Sequence, residues 1–532
     1  MRRDIVKRLN GAWCVLGGTT TTMLAMSLMT LAGPTQAGDS RAASESVEER
    51  VVRVEKGIEP VDIGKDELAI PLDLAGVMKL FNDPGLSVAV IDGYKIAWTK
   101  AYGTTEQGQT IPVTTKTLFQ AGSISKPVAA TGMLALVQAG KLSLDEDVNV
   151  KLKTWKVPEN EFTKEQKVTL RRLASHTAGL TVHGFPGYDV DEKLPTPVQI
   201  FNGEKPANTP PIRVDLVPGT KERYSGGGVT IEQQMMMDVT GKVFPALMKE
   251  TVLDKIGMTN SSYEQPLPAA WAEHTAVGTQ GSGKSIHGRW HVYPEMAAAG
   301  LWTTPTDLAK FAIEIAVSRQ GKSNKVLSQK TTQEMLTPVL EGAGLGFFLE
   351  KDHPGEFGHN GADEGFQALL VMNWETGQGV AIMANSDNGI LVANELLRSV
   401  AKEYAWKYSP EERDPIGQLV MIAALRGADL VLKKYEEMKS TGDPKKRPEE
   451  FALNMIGYRV FMQTGKTDDA IKVFEKNVQE YPESSNVYDS LGEAYAAAGK
   501  KDLAIQNYQK SLQLNPKNDN AKVQLKKLSS EQ

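Results

Sequence analysis

Two stretches of the chain carry the alternation expected of half-buried strands. Leu86-Ser87-Val88-Ala89-Val90-Ile91 and Lys95-Ile96-Ala97-Trp98 flank Asp92-Gly93. Both positions of that dipeptide tolerate positive φ, so the segment predicts a hairpin. Far downstream, Ala368-Leu369-Leu370-Val371-Met372 and Val380-Ala381-Ile382-Met383 flank Glu375-Thr376-Gly377 and predict a second one. Helical patterns dominate between the two, over residues 128–139 and 231–253, and a further helix is expected over 391–404. Hairpins at both ends with helices between them predict an α+β fold: one antiparallel sheet flanked by helices, with an inserted helical region.

The C-terminal pattern is different. Residues 451–482 and 485–516 align at a 34-residue period: Gly465 with Gly499, Ala470 with Ala504, Phe474 with Tyr508 and Pro482 with Pro516. Tyr488, Leu491-Gly492 and Tyr495 complete the signature of a tetratricopeptide repeat, in which a small Ala lets two helices cross closely and Pro ends the second. The first repeat is degraded, with Gly457-Tyr458 where Leu-Gly is expected. Two repeats bury little core alone, so the helical stretch 416–438 is expected to serve as a cap or a divergent third pair. The plain alternative is a helical tail that packs on the rest of the chain.

Composition narrows the function classes. With 532 residues, two or three domains are expected. Sixty basic and 65 acidic residues leave a net charge of −5, which points away from nucleic acid. The single cysteine, Cys14, excludes a structural disulfide, and seven His without HExxH argue against a zinc hydrolase; no metal and no cofactor are expected. Arg2, Arg3, Lys7 and Arg8 precede an apolar run over 11–29, and Thr35-Gln36-Ala37 offers a small-residue cleavage site. That order predicts a secretory signal, so an exported protein is expected, periplasmic or extracellular, with no membrane span once the signal is removed. The plain alternative is an uncleaved membrane anchor, for which Thr19 to Thr22 make the run a poor bilayer span. The expected organisation is 1–37 signal, 38–66 leader, 67–405 globular domain, 406–450 helical linker or divergent repeat, and 451–532 repeats.

The candidate chemistry begins at Ala121-Gly122-Ser123-Ile124-Ser125-Lys126-Pro127. Positions i and i+3 share a helix face, so the Lys126 side chain can reach the Ser123 hydroxyl. Pro127 fits a first helical turn, where its missing N–H costs little, and places the helix start near Ser123. Ser-x-x-Lys alone arises by chance in most long chains, and a capping serine is its plain alternative. Its company decides the reading. Tyr224 stands in Arg223-Tyr224-Ser225-Gly226-Gly227-Gly228, and His359-Asn360-Gly361 precedes the strand expected near Gln367. No Gly-x-Ser-x-Gly elbow is present, which removes the α/β-hydrolase alternative.

These blocks, in this order, resemble the serine β-lactamase-related family in its class C-like branch, over about residues 67–405. The stretches 173–180, 300–305 and Asp307-Leu308-Ala309 resemble the same group. The resemblance implies a β-lactamase/transpeptidase-like fold and a two-step acyl transfer. Ser123 would be the nucleophile, with Lys126 and Tyr224 moving its proton. Backbone N–H groups of Ser123 and Ala362 would hold the oxyanion, and His359, Asn360 and Gly361 would line the substrate edge. His176 reads as a structural turn residue.

Two departures shift the expected substrate. Gly226 stands where the family's Tyr-x-Asn motif carries Asn, and His359 stands where β-lactamases carry Lys. A neutral imidazole attracts a carboxylate less than an ammonium does. An ester or a D-amino-acid peptide is therefore expected ahead of a β-lactam, with a protein partner or self-association through the repeats. The alternatives are a non-catalytic binding protein on the same fold, or a true β-lactamase.

Overall fold

The computed structural model describes residues 46–64, 68–340, 342–407, 413–440 and 448–530. Cys14 and the expected signal lie outside the described residues. The N-terminal part opens with helix α1 (Val47–Lys56) and the hairpin β1 (Gly85–Asp92) and β2 (Lys95–Gly103). Next come β3 (Phe119–Gln120), α2 (Ser125–Gln138), α3 (Gly226–Thr240), α4 (Met296–Ala299), β4 (Trp302–Thr303) and α5 (Pro305–Arg319). The sheet is completed by β5 (Phe348–Leu349), β6 (Glu356–Asp363), β7 (Phe366–Asn373) and β8 (Gly379–Ala384), followed by α6 (Gly389–Glu403).

Six strands form one antiparallel sheet in the order β2-β1-β8-β7-β6-β5. The two hairpins expected from sequence meet in its middle, where Leu86 pairs with Ala384 and Ile91 with Gly379. Alternation along β1 splits its side chains between two cores. Ala89 and Ile91 join Ala381, Met383 and Phe311 of α5 on one face. Leu86, Val88 and Val90 join Val380, Ile382, Val54 of α1 and Leu396 of α6 on the other. Burial on both faces explains why β7 and β8 read as near-continuous apolar runs.

Three details differ from the expectations. The first hairpin turns on Gly93 and Tyr94, both at positive φ (+55° and +62°), and not on Asp92-Gly93. Tyr94 is held there by its hydroxyl, which donates to Trp374 O (2.9 Å), and by its N–H, which donates to Gly377 O (2.9 Å). The long helix expected over 231–253 is two, because Gly241 closes α3 in the left-handed conformation with its N–H on Met237 O. The segment expected to be a leader contains α1, whose Val54 carbonyl accepts from Ser399 Oγ of α6 at 2.6 Å, so it belongs to the packed fold.

The C-terminal part is all helical: α7 (Pro415–Arg426), α8 (Ala428–Ser440), α9 (Glu450–Met455) running into a π-helical segment (Ile456–Met462), α10 (Thr467–Glu480), α11 (Ser485–Ala497), α12 (Lys501–Leu514) and α13 (Asp519–Ser530). Ala470 and Ala504, and Phe474 and Tyr508, are fully buried at matching places. A Cβ on Gly457 would strike the Phe474 ring, as one on Gly492 would press the Tyr508 ring. Those glycines lie 35 residues apart and the aromatics 34. The first repeat therefore carries one extra residue, and the π-helical segment absorbs it. These helices share the second core with β1, β8 and α6. Among the described residues, no helix is long and apolar enough to cross a membrane.

Candidate active site

Ser123 lies in a single 3-10 turn, Gly122–Ile124, that leads directly into α2. Gly122 takes φ +50°, a conformation that suits glycine and turns the chain out of β3. Ser125 locks the turn: its Oγ donates to Gly122 O (2.6 Å) and accepts from Leu301 N (2.9 Å). One turn on, Lys126 is 3% exposed, with Nζ 2.8 Å from Ser123 Oγ and 2.7 Å from Ala298 O of α4.

Burial pushes Lys126 down to about 7, since an ammonium loses more on leaving water than an amine does. Asp363, at the end of β6, opposes that shift. Its own carboxyl is held well above the ordinary range, again by burial. Above about pH 7 the amine is the major form of Lys126, and its lone pair can take the Ser123 proton.

The Tyr224 ring centroid is 4.9 Å from Lys126 Nζ. Tyr224 is positioned from both sides by His176, itself at φ +58°. The His176 carbonyl accepts from Arg223 N (2.8 Å), its Nδ1 accepts from Ser225 N (3.3 Å), and its ring lies 4.2 Å from that of Tyr224. Burial pushes His176 well below the usual imidazole range, so it is neutral. The turn expected at His176 is present, and its side chain also holds the tyrosine segment. Ser225 then caps α3, accepting from Gly228 N at 3.0 Å.

His359, Asn360, Gly361 and Ala362 follow one another along β6. That strand pairs with β5 only at Phe357 and Gly358, so its next residues are free to approach the Ser123 turn. The approach is close. A Cβ on Gly361 would collide with Ala121 O and stand 3.3 Å from Ser123 N, and one on Gly122 would collide with Ala362 N. Only glycines allow this contact, which packs the backbone at residues 121–123 directly against the backbone at Gly361 and Ala362. His359 is buried, its Nδ1–H donates to Asn360 O (2.5 Å), and Nε2 has no partner among the described residues. Burial, with Lys126 adding to it, pushes His359 down to about 3, so it carries no charge at neutral pH.

Sequence reasoning missed the aromatic wall. The His183 ring is 4.8 Å from Tyr224, and Phe348 is 5.0 Å from His359. His183 and Phe185 come from a loop without periodic signal, and Phe348 from a two-residue strand, so neither carried a pattern to find. Phe185 also explains Gly226. A Cβ there would stand 3.1 Å from both the Phe185 ring and His183 O, so any side chain at this position must push one of them aside. Gly226→Asn is expected to destabilise the fold by about 1–3 kcal/mol, with part of the loss recovered by adding Phe185→Ala. Thermal melts of the single and double variants check this, and an unchanged melting temperature for Gly226→Asn would refute it.

The beta-lactamase family model matches residues 74–404, and a tetratricopeptide repeat model matches residues 485–518, the second of the two repeats. A beta-lactamase of Pseudomonas fluorescens is 28% identical over 248 residues, which span 46% of this chain and 63% of that protein. Penicillin-binding protein 4 of Amycolatopsis lactamdurans is 26% identical over 347 residues, 62% of this chain and 87% of that protein. The octameric penicillin-binding protein homologue from Pyrococcus abyssi shares the fold, with a TM-score of 0.54 at 22% identity over 65% of this chain and 78% of that one.

Proposed function

The chain belongs to the beta-lactamase family, and from that footing we propose that it is an acyl-transferring serine hydrolase of esters or D-amino-acid peptides. The observation that carries the reading is the 2.8 Å contact between Ser123 Oγ and a Lys126 whose burial brings it to about 7. The Ser123 oxygen attacks the substrate carbonyl carbon while its proton passes to the Lys126 amine. The tetrahedral oxyanion lies between the N–H groups of Ser123 and Ala362. The proton then moves by way of Tyr224 to the leaving alkoxide or amine, and the C–O or C–N bond breaks. Water then gives a proton to Lys126 and attacks the acyl carbon. The C–O bond to Ser123 breaks, and the Ser123 oxygen takes that proton back from Lys126 as the carboxylic acid product leaves.

Two features support an ester or peptide ahead of a β-lactam. His359 is uncharged where the family's lysine would attract a carboxylate, and the Asn position is Gly226 with Phe185 packed over it. The N-terminal order of basic, apolar and small residues supports export, and the repeats support a protein partner.

Treatment with a fluorophosphonate should add one phosphonyl group, mapped by mass spectrometry to the peptide containing Ser123. Short acyl esters and D-alanyl peptides should then turn over faster than a cephalosporin. Absence of any adduct would overturn the hydrolase reading, and preferential cephalosporin hydrolysis would overturn the substrate order.

A further inference from the structure

We propose that Arg459, on the first repeat, is a positioning residue for the active-site strand, acting through Asp387; the inference builds on the hydrolase reading. The β6–β7 hairpin pairs Asp363 with Phe366, leaving Glu364 and Gly365 as its two turn residues directly after Ala362 and Asp363. This turn is held from outside at three points. Glu364 N donates to Tyr293 Oη (3.1 Å), Gly365 N donates to Asp387 Oδ1 (2.7 Å), and Gly365 O accepts from Thr279 N (3.2 Å). Asp387 binds the opposing loop as well: its Oδ2 accepts from Gly281 N (3.2 Å) and its own N–H donates to Thr279 O (2.9 Å). One carboxylate thus staples the catalytic turn to the loop around residues 279–281.

Behind that carboxylate stands the repeat. Arg459 lies in the π-helical segment, is 9% exposed, and donates from Nη1 to Asp387 O at 2.6 Å. Burial raises the Asp387 carboxyl above its ordinary range, and the Gly365 N–H and the Arg459 charge oppose that rise. One helical turn on, Gln463 presses the same loop, with its Oε1 only 2.6 Å from where a Cβ on Gly281 would be. In the second repeat Glu493 and Ala494 stand at the corresponding places, so the arginine is not a repeat-signature residue. It belongs to the repeat that hydrogen-bonds the loop at Asp387. Without it, the Asp387 staple loses its counter-charge, and the strand that presents Ala362 N to the oxyanion loses its outer support.

Arg459→Met is expected to slow fluorophosphonate labelling of folded protein roughly 10- to 100-fold, the cost of a small misplacement at a reacting centre. The step of the pH profile should stay near 7, because burial, the main cause of the lowered Lys126, is unchanged, and Arg459→Lys should recover much of the rate. Amide hydrogen exchange at Glu364 and Gly365 should quicken in Arg459→Met, which reads the positioning directly whatever the chemistry. Asp387→Asn, nearly isosteric, should reproduce both effects if Arg459→Met does not fold. A wild-type labelling rate in the variants, or unchanged exchange at the turn, would overturn the inference. A wild-type protein that takes no label would instead overturn the hydrolase reading, and exchange alone would then decide the role of Arg459.

Discussion

Ser123→Ala is expected to abolish the fluorophosphonate adduct and to lower ester turnover by at least about 10³-fold, approaching 10⁶-fold if nucleophile and base act as one unit. The hydroxyl sits at the one place where a buried amine and the close backbone contact of β6 converge. No shift of the 3-10 turn brings Ser125 into that position, because its Oγ is committed to Gly122 O and Leu301 N. The variant should fold, since Ser123 is only half-buried and alanine keeps its Cβ. Intact-mass spectrometry and ester assays on the two proteins give the answer. Equal labelling of Ser123→Ala would place the nucleophile elsewhere. Undiminished turnover would do the same.

The parts of this site that were legible in the sequence are those whose chemistry depends on short spacing. Ser123 and Lys126 are one helical turn apart, so their meeting follows from the helix alone. Gly361 was legible as part of the substrate edge, and the structure adds that its backbone packs against the Ala121 carbonyl. The hairpins were legible from alternation, yet the turn slipped by one residue because Tyr94 is held at positive φ by contacts with residues 374–377, far away in sequence. Tertiary contact overrode the local preference for Asp-Gly there.

What was not legible depends on distant segments meeting. His176 reads as a turn residue because its grip on Arg223 and Ser225 crosses some fifty positions. The lowered state of Lys126 depends on its burial beneath α4 and on Asp363, neither of which a Ser-x-x-Lys pattern encodes. The first repeat looked degraded only because a fixed 34-residue frame cannot register the extra residue of a π-helical turn. The same segment carries Arg459, so the most informative irregularity of the tail coincides with its contact to the catalytic part.

Lys126→Met is expected to lower labelling and turnover by about 10³-fold or more, and also to change the shape of the pH profile. The direction follows from the ionisation. Burial lowers the lysine to about 7, so the amine, which is the base, is the major form above that pH and the ammonium below it. The wild-type labelling rate should therefore rise as pH increases through about 7 and level off one to two units higher. Neither His176 nor His359 can supply that rise, because burial holds both below the ordinary imidazole range and they are already neutral there. Methionine removes the titrating group while retaining much of its volume, so the residual rate should lose the step near 7. A variant that kept both the rate and the step would show that another group takes the Ser123 proton. Tyr224, 4.9 Å from the lysine by its ring, would be the first to test.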